Sequence, residues 1–423
     1  MNEPMNMTET PFTISNVQTI NLGKSSYPIN TGIGFFDHML DQLNSHAQVG
    51  ISVTVNEPSE NRNRHADDTI QEQLMSQVGS ALGLELAKII PAQGNGSSSS
   101  RFVCPLDEAL VECTIVPNGK GQLTFHLAPY GEFPTGIGRT KIGHMMTKPL
   151  ESFFNNLSNA SGLSITLTKI RGKNGHHVVE SAFKAFSRAL RNLIDGTCVD
   201  MNWEGKMSEL WGKESQSHEE GLKLERKGVS SRSTKETNID VEVHLDGGSK
   251  GISIQTGIKT LDEFYIHLAE QSQISLMVNC KGDTWVDDHH TAEDVSIAVG
   301  KVLNTALGTK AGLNRMWCSS SKVGEALVEV TMDLSNRPCL TQNLSLHDDE
   351  YVGDLSTEMF DHVLDSLVMN GQMTVHVLQK SKGNVKDLVI ATAEAFGRAL
   401  RLCAAVDPRR AGKTASSKGT LSA

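Results

Sequence analysis

The amino-acid sequence carries one pattern twice, and this repeat constrains the fold more than any other feature. TGIGFFDHML (Thr31–Leu40) returns as TGIKTLDEF (Thr256–Phe264), and a helix ending in SALG at Gly83 returns as one ending in TALG at Gly308. Both displacements are 225 positions. Because self-similarity at a fixed spacing is the sequence signature of repeated folding units, the chain is predicted to be a tandem duplication.

The two copies share a second, longer segment near their ends. Gly162–Arg191 returns as Gly371–Arg401, displaced by 209 positions at its start and by 210 at its end because the intervening loops differ in length. A chain of 423 residues exceeds one ordinary core, so two domains of roughly 200 residues are expected. The predicted segments are an N-terminal arm (1–12), a first domain (13–199), a linker (200–233), a second domain (234–407) and a C-terminal tail (408–423). Composition predicts a solvated linker and a disordered tail.

Alternating apolar and polar residues predict strands in both domains. The predicted strands are Val49–Val55, Ala109–Val116, Leu163–Ile170, Ile239–Leu245, Ile274–Cys280, Ala326–Leu334 and Met373–Gln379. Helical spacing of apolar residues occurs between them, for example in EDVSIAVGKVLNTALG. The predicted fold class is therefore α+β, with mainly antiparallel sheets that carry helices on one face. A fainter echo of the pattern divides each domain into two related half-units.

Charge and composition exclude several classes of protein. The net charge is −10 and the pI is near 5.8, so no broad basic surface for nucleic acid or anionic lipid is expected. No apolar run reaches the ~18 residues that cross a bilayer, and Met1–Phe12 is unlike a signal or transit peptide. The seven cysteines contain no C-x-x-C pair, which favours reduced thiols over disulfides or a zinc site. A cytoplasmic protein is expected.

Two predicted helix starts carry paired histidines followed by a glutamate. One of these helices begins with His289, His290 and Glu293. The segment GHHVVES repeats the arrangement at a helix start in the first domain. Residues spaced i,i+3 or i,i+4 face one side of a helix, so a histidine and the glutamate can chelate one transition metal. The adjacent imidazole points about 100° away, toward a second ion. One such pair is usually structural or solvent-facing, but two in one chain favour metal binding.

The chain resembles imidazoleglycerol-phosphate dehydratases over essentially its full length, and it does so twice. The motifs that carry the resemblance are GIGFFDHMLDQL, DDHHTAEDVSIAVG, DLSNRP, GHHVVESAFKAFSRALR and the closing SSKGTL. The resemblance implies dehydration of imidazole glycerol phosphate to imidazole acetol phosphate in histidine biosynthesis. It also implies that six His and two Glu bind two manganese ions between subunits. The donor types alone leave manganese, iron and zinc open.

The metal motifs of that family are divided between the two domains. The first domain keeps DHM and HHxxE, and the second keeps HHTxED and a strand histidine. The implied ligands are His38, His176, His177 and Glu180 in the first domain and His289, His290, Glu293 and His376 in the second. The matching positions of the other copy hold Arg64, His65, Asp68, Thr166, Glu263, Lys386, Asp387 and Ile390. Each ligand therefore survives once, and opposite charges are expected to replace the lost metal links by salt bridges.

The substrate residues implied by the resemblance divide along the same line. They are Gln42 and Lys184 in the first domain and Arg315, Arg337, Ser416 and Lys418 in the second, so that the tail is expected to bind substrate. Guanidinium forks and ammonium charges suit a phosphate ester. Surface solvation is the alternative for the two arginines, and a flexible tail is the alternative for Lys418.

Dehydration also needs a carboxylate that moves protons. The family motif R-x-T-x-E-T implies Glu236 in RSTKET, while Glu9 in MTET is a weaker counterpart, and the sequence does not decide between them. The resemblance implies that two bound metals would supply Lewis acidity toward the imidazole of the substrate.

The resemblance further implies a large homo-oligomer, with twelve chains supplying a shell of 24 domains. Whether a complete site forms within a chain or between chains stays open. Two other functions also stay open: a catalytically inactive structural or regulatory paralogue, and an enzyme for another phosphorylated azole.

Overall fold

The structure, a computed structural model, describes residues 13–21, 28–56, 68–90, 99–131, 138–196, 226–410 and 412–421. The chain divides into two compact units. The first unit comprises Met1–Phe102 and Val111–Trp211, and the second comprises Val103–Leu110 and Gly212–Ala423. The short segment Val103–Leu110 thus groups with the second unit although it lies in the first repeat of the sequence. Among the described residues, no helix is long and apolar enough to span a membrane.

The first repeat folds into two half-units of strands and helices. One contains β1 (Thr13–Asn21), β2 (Ile29–Asn30), α1 (Gly34–Gln42), β3 (Val49–Asn56) and α2 (Asp68–Ile89), with a π-helical turn at Leu43–Ala47. The other contains β4 (Ser100–Leu106), β5 (Ala109–Val116), β6 (Leu123–His126), β7 (Lys141–Ile142), β8 (Met145–Met146), α3 (Pro149–Ser161), β9 (Ser164–Arg171) and α4 (Gly175–Ile194).

The second repeat folds in the same order, with one further strand, β10 (Lys227–Ser233), at its start. Its first half-unit contains β10, β11 (Thr237–His244), β12 (Ser253–Gln255), α5 (Lys259–Ser272), β13 (Ser275–Gly282) and α6 (His289–Leu307). Its second contains β14 (Met316–Val323), β15 (Ala326–Asp333), β16 (Cys339–Gln342), β17 (Tyr351–Val352), β18 (Leu355–Ser356), α7 (Thr357–Gly371), β19 (Thr374–Ser381) and α8 (Val385–Cys403).

One strand order recurs in the half-units. The four-stranded sheets are ordered β4-β5-β9-β6, β10-β11-β13-β12 and β14-β15-β19-β16, and the three-stranded sheet is β1-β3-β2. The last strand in each order runs parallel to its neighbour, as in β12 with β13 and β16 with β19, whereas pairs such as β10 with β11 and β14 with β15 are antiparallel. This recurrence confirms the predicted α+β class, the tandem domains and the division into half-units.

The pattern of burial explains how these elements pack. On β11, Ile239, Val241 and Val243 are buried and alternate with exposed or half-buried residues, so one face of the strand is apolar. Helix α6 packs against β10 and β11, and helix α8 packs against β14 and β15. Each fully buried aliphatic side chain of this kind contributes about 1.5–3 kcal/mol. The helices therefore cover one face of these sheets.

The predicted linker is shorter than the sequence indicates. Lys227–Ser233 lies in its predicted range but forms β10, which pairs with β11 from Lys227 and His244 to Ser233 and Asn238. The prediction was wrong for this segment because an edge strand is ordered by backbone hydrogen bonds to its neighbour, and composition does not report those bonds. The rest of the linker up to residue 225, and the arm over 1–12, lie outside the described residues.

The C-terminal tail is also ordered, contrary to its composition. Residues 412–421 form turns, and Ala415 and Leu421 are buried. The Lys413 carbonyl accepts a hydrogen bond from the Gly312 amide at 3.0 Å. Tertiary contacts therefore order a segment whose polar, basic residues by themselves predict disorder.

Candidate metal centre

Three predicted metal ligands of the first domain lie together. His38 lies on α1, and His176 and Glu180 lie on the first turns of α4. Their donor atoms are all within 4.8 Å of one another, with Nε2 of His176 at 3.0 Å and Nε2 of His38 at 3.5 Å from Oε2 of Glu180. Helix α4 begins here because the Asn174 side chain caps it by accepting a hydrogen bond from the His176 amide. Two imidazoles and a carboxylate fit a divalent transition metal.

Glu180 is held in its ionised form despite its burial. Its side chain is only 10% exposed, and burial alone would raise the pKa of the carboxyl group. The Lys184 ammonium, 2.8 Å from Oε1, together with hydrogen bonds from His176 and His38, outweighs burial and lowers the pKa of Glu180 far below its usual range. A permanently charged carboxylate is the form that binds a cation. Lys184, a predicted substrate residue, is thus placed beside the metal ligands.

Gln42 and His177 lie next to this cluster. Gln42 is buried at the end of α1, and its Nε2 donates a hydrogen bond to the His38 carbonyl at 3.0 Å. His177 follows His176 on α4, with ring centroids 6.0 Å apart and planes at 82°. The two neighbouring imidazoles therefore face different directions, as consecutive positions on a helix do.

In the second domain, His289, His290 and Glu293 lie on the first turns of α6. Nε2 of His289 is 3.5 Å from Oε2 of Glu293. Nδ1 of His290 is 3.1 Å from Oδ2 of Asp283, and this hydrogen bond raises the pKa of His290. A carboxylate on one imidazole nitrogen fixes the ring and directs the other nitrogen outward, as is common for histidines that bind metals.

Glu236 lies beside His290. Its Oε1 is 3.9 Å from Nε2 of His290, and its side chain is 53% exposed. Its main-chain carbonyl accepts a hydrogen bond from the Asp283 amide at 3.1 Å, which ties the turn before β11 to the end of β13. Of the two carboxylates predicted to move protons, Glu236 thus adjoins a predicted metal ligand, whereas Glu9 lies outside the described residues.

The structure adds one imidazole that sequence reasoning missed. His362 lies on α7, and its ring centroid is 5.4 Å from that of His289. A signal was present, because FDHVLDSL in the second domain has the same DH spacing as FDHMLDQL in α1. The predicted ligand His376 lies on β19 instead, fully buried, where its Nε2 donates a hydrogen bond to the Asp107 carbonyl at 2.8 Å. Metal binding by His376 stays a prediction.

The two predicted phosphate-binding arginines differ in exposure. Arg315 is 2% exposed, and its Nε and Nη2 donate to the two carboxylate oxygens of Asp333 at 2.7 and 2.8 Å. Its Nη1 donates to the Ala415 carbonyl, which attaches the tail that carries Ser416 and Lys418. The side chain of Arg337, between β15 and β16, is 37% exposed. Arg337 is therefore the more accessible guanidinium.

The second domain carries ion pairs at the positions where the first carries its predicted metal ligands. Glu263 stands at the position of His38 in the repeat. Lys386 stands at the position of His176, and its Nζ is 3.1 Å from Oε2 of Glu263. This ion pair joins two helices of one domain, whereas the expected salt bridges would link the two domains, so that expectation stays a prediction.

The neighbouring positions have changed in the same way. Ile390 replaces the carboxylate of Glu180. His267 and Glu394, which stand in place of a glutamine and a lysine, approach to 3.4 Å. The described part of the second domain therefore has no His-His-Glu cluster on α5 and α8.

Comparison with known proteins assigns the chain to a class. The sequence profile of imidazoleglycerol-phosphate dehydratase matches residues 31–190 and 256–400, one segment in each repeat. The chain is thus a hydro-lyase, an enzyme that removes water. It belongs to the imidazoleglycerol-phosphate dehydratase family, which acts in histidine biosynthesis.

Relatives of the family align with about half of the chain. The chloroplastic imidazoleglycerol-phosphate dehydratase of Pisum sativum is 43% identical over 197 residues, which are 47% of this chain and 69% of that protein. The imidazoleglycerol-phosphate dehydratase of Prochlorococcus marinus (strain MIT 9211) is 41% identical over 200 residues, 47% of this chain and 95% of that protein. The crystal structure of the Staphylococcus aureus subsp. aureus N315 dehydratase covers 43% of this chain and 99% of that one, with 27% identity and a TM-score of 0.39.

Proposed function

We propose that the chain dehydrates imidazole glycerol phosphate to imidazole acetol phosphate at a site made of two complementary halves. The observation that carries this proposal is the division of ligands between the domains. The first domain gathers a His-His-Glu cluster, and the second gathers the histidines and glutamate of α6 but replaces the first cluster by an ion pair. A complete donor set therefore needs one half from each domain, joined within a chain or between two chains.

The donors support two manganese ions in each complete site. Imidazole nitrogens and carboxylate oxygens suit divalent manganese, iron and zinc, and the family relationship favours manganese. Bound ions would supply Lewis acidity toward the substrate. The proposed ligands are His38, His176, His177 and Glu180 from the first domain and His289, His290, Glu293 and His362 from the second, with His376 as the alternative to His362.

Glu236 is the proposed proton carrier. Dehydration takes a proton from carbon and delivers one to the departing hydroxyl group. The half-exposed carboxylate of Glu236 lies 3.9 Å from the His290 ring, so it would meet a substrate held at the ligands of α6. Glu9 is kept as the alternative.

The phosphate ester is proposed to bind Arg337, Ser416 and Lys418. Arg337 and Lys418 are accessible to a ligand. Arg315 is buried, so its proposed contribution is to position the tail through the Ala415 carbonyl. Gln42 and Lys184 stay predicted substrate residues of the first domain.

Assembly and location are part of the same proposal. Twelve chains would form a homo-oligomeric shell of 24 domains that binds a small phosphorylated imidazole. No nucleic-acid or membrane partner is proposed for a chain with a net charge of −10. The cytoplasmic location stays a prediction.

Complementation of a histidine auxotroph tests the proposal. The chain is expected to restore growth without histidine, and His38→Ala and His289→Ala are each expected to abolish it, because each removes a ligand that the other domain lacks. His126→Ala, which changes an exposed histidine on β6, is the matched control and should leave growth unchanged.

Metal analysis of the purified protein is the second measurement. About two manganese ions per chain are expected if one complete site forms per chain. About four would contradict the division of ligands between the domains. A folded protein without metal that does not restore growth would instead identify an inactive structural or regulatory paralogue.

A further inference from the structure

The turn between β4 and β5 contacts two predicted site residues of the second domain. Asp107 lies in this turn, within the segment Val103–Leu110 that belongs to the second unit. Its Oδ1 is 2.8 Å from Nε of Arg337, and its main-chain carbonyl accepts a hydrogen bond from Nε2 of His376 at 2.8 Å. A residue from the first repeat of the sequence therefore forms hydrogen bonds with two residues of the second repeat.

The main chain around Arg337 is fixed independently of Asp107. Oγ of Ser335 accepts a hydrogen bond from the Arg337 amide at 3.0 Å, and Oγ1 of Thr374 donates one to the Arg337 carbonyl at 2.8 Å. These bonds fix the main chain at Arg337, but they do not fix the position of the guanidinium group at the end of its long side chain. The ion pair at Nε orients the guanidinium group, because the arginine donors form one rigid plane.

The Asp107 turn is itself anchored. His376 is fully buried on β19 and bonds the main chain of the turn, so the carboxylate of Asp107 projects from a fixed point. Asp107 has a φ of 49°, a left-handed conformation that aspartate tolerates better than most residues. The carboxylate is therefore a fixed partner of Arg337.

The equivalent turn of the second repeat lacks this carboxylate. PLDEALVE aligns with KVGEALVE, which places Gly324 where Asp107 stands in the first repeat. Gly324 has a φ of 54°, and a Cβ added there would lie 2.3 Å from Oδ2 of Asp387. A Cβ at this position would require the Asp387 carboxylate to move, and glycine itself supplies no carboxylate, so the carboxylate belongs to one repeat only.

We propose that Asp107 is a positioning residue that orients Arg337 to bind the phosphate group of the substrate. This inference rests on the proposed function, since it assigns the phosphate to Arg337. A negative charge close to a phosphate site also opposes anion binding, so a carboxylate that only competed for Arg337 would weaken binding. The anchored turn and the contact at Nε favour orientation over competition.

The variant Asp107→Asn in the full-length chain distinguishes orientation of Arg337 by Asp107 from competition between Asp107 and the phosphate group. The substitution keeps the size of the side chain and removes its charge. KM is expected to rise about tenfold with kcat changed less than about twofold, because a charge-assisted hydrogen bond contributes about that factor. The dissociation constant of inorganic phosphate, measured by calorimetry, is expected to rise by a similar factor. Asp107→Glu keeps the charge and is expected to recover part of the loss.

Glu112→Gln is the matched control on the same hairpin. It removes an equal charge from β5, where Glu112 pairs with Arg101 at 2.6 Å, and is expected to leave KM and phosphate binding unchanged. Equal or tighter phosphate binding by Asp107→Asn would overturn the inference, and tighter binding would make Asp107 a competitor. A wild-type chain without dehydratase activity that still binds phosphate in an Asp107-dependent manner would contradict the proposed function alone.

Discussion

At the scale of single residues, the second domain contains two histidines with opposite surroundings. The ring of His362 on α7 lies 5.4 Å from the ring of His289, centroid to centroid. His376 is fully buried on β19, and its Nε2 donates a proton to a main-chain carbonyl. Nε2 of His376 therefore has no lone pair for a metal, and Nδ1 lies within a fully buried side chain. The surroundings therefore favour His362 as the ligand that completes the α6 half of the site.

Replacing each histidine by alanine separates these roles. His362→Ala is expected to lower the metal content and to reduce dehydratase activity by about 100-fold or more, since it removes a metal ligand. His376→Ala is expected to keep its metal and to lose about 1–3 kcal/mol of unfolding free energy, because a buried hydrogen bond is broken. Metal analysis and urea denaturation measure the two effects. The reverse pattern would return His376 to the metal site.

Lys310 is a residue whose positive charge is disfavoured by burial in the folded protein. Its side chain is 1% exposed, and its Nζ donates hydrogen bonds to Oδ1 of Asn336 and to the Gln372 carbonyl. Burial lowers the pKa of Lys310 from 10.5 to about 8, although the nearby Asp333 carboxylate opposes the shift. The folded protein therefore releases this proton at a lower pH than the unfolded chain does.

Stability should accordingly rise with pH across this window. Between about pH 8 and 10.5 the unfolded state binds more protons at Lys310, so the free energy of unfolding increases by at most about 1.4 kcal/mol per pH unit. Relative to Lys310→Met, the wild-type chain is expected to gain about 1–2 kcal/mol between about pH 8 and pH 10. Urea denaturation of both proteins at the two pH values measures this gain. Equal changes in both would show that Lys310 is not the titrating group.

At the scale of helices, equivalent pairs carry different chemistry in the two domains. Helices α1 and α4 bring His38, His176 and Glu180 together, whereas α5 and α8 bring Glu263 and Lys386 to 3.1 Å. The packing that places two side chains in contact is therefore kept, and only the side chains have changed. An ion pair between the helices can replace the link that a metal would supply.

Reversing three substitutions is expected to create a metal cluster in the second domain. Glu263→His, Lys386→His and Ile390→Glu together restore the donor types of the first domain on helices that already meet. About one additional ion per chain is expected by metal analysis, since two imidazoles and a carboxylate form a sufficient donor set. Glu263→His alone is the control and should add none. An unchanged metal content in a folded triple variant would show that α5 and α8 hold these positions in a different geometry.

Periodicity predicted most elements but missed those that depend on neighbours. The alternation over Ala109–Val116 corresponds to β5, and the helix start at His289 corresponds to α6. β10 was missed because only Gly228 of its residues is buried, so its strand character comes from pairing with β11. The ordered tail was missed for a similar reason, since its order comes from contacts with the loop before Arg315.

At the scale of the whole molecule, duplication permits each domain to lose what the other keeps. The Prochlorococcus marinus relative aligns over 95% of its length with 47% of this chain, whereas this chain holds two segments that match the family. At equivalent positions, the second domain has a salt bridge and the first domain has the His-His-Glu cluster. The proposed assembly of complete sites from two halves follows from the same division.

The sequence by itself determined the two repeats, their α+β half-units, the family and the division of the metal motifs. These are properties of the spacing and order of residues along the chain. A repeat or a motif can therefore be identified without any knowledge of its tertiary contacts. Only the tertiary structure decided that His362 adjoins His289, that Asp107 holds Arg337 and that Glu263 pairs with Lys386. Such contacts join residues far apart in sequence, and they depend on how helices and strands pack, which no local pattern specifies.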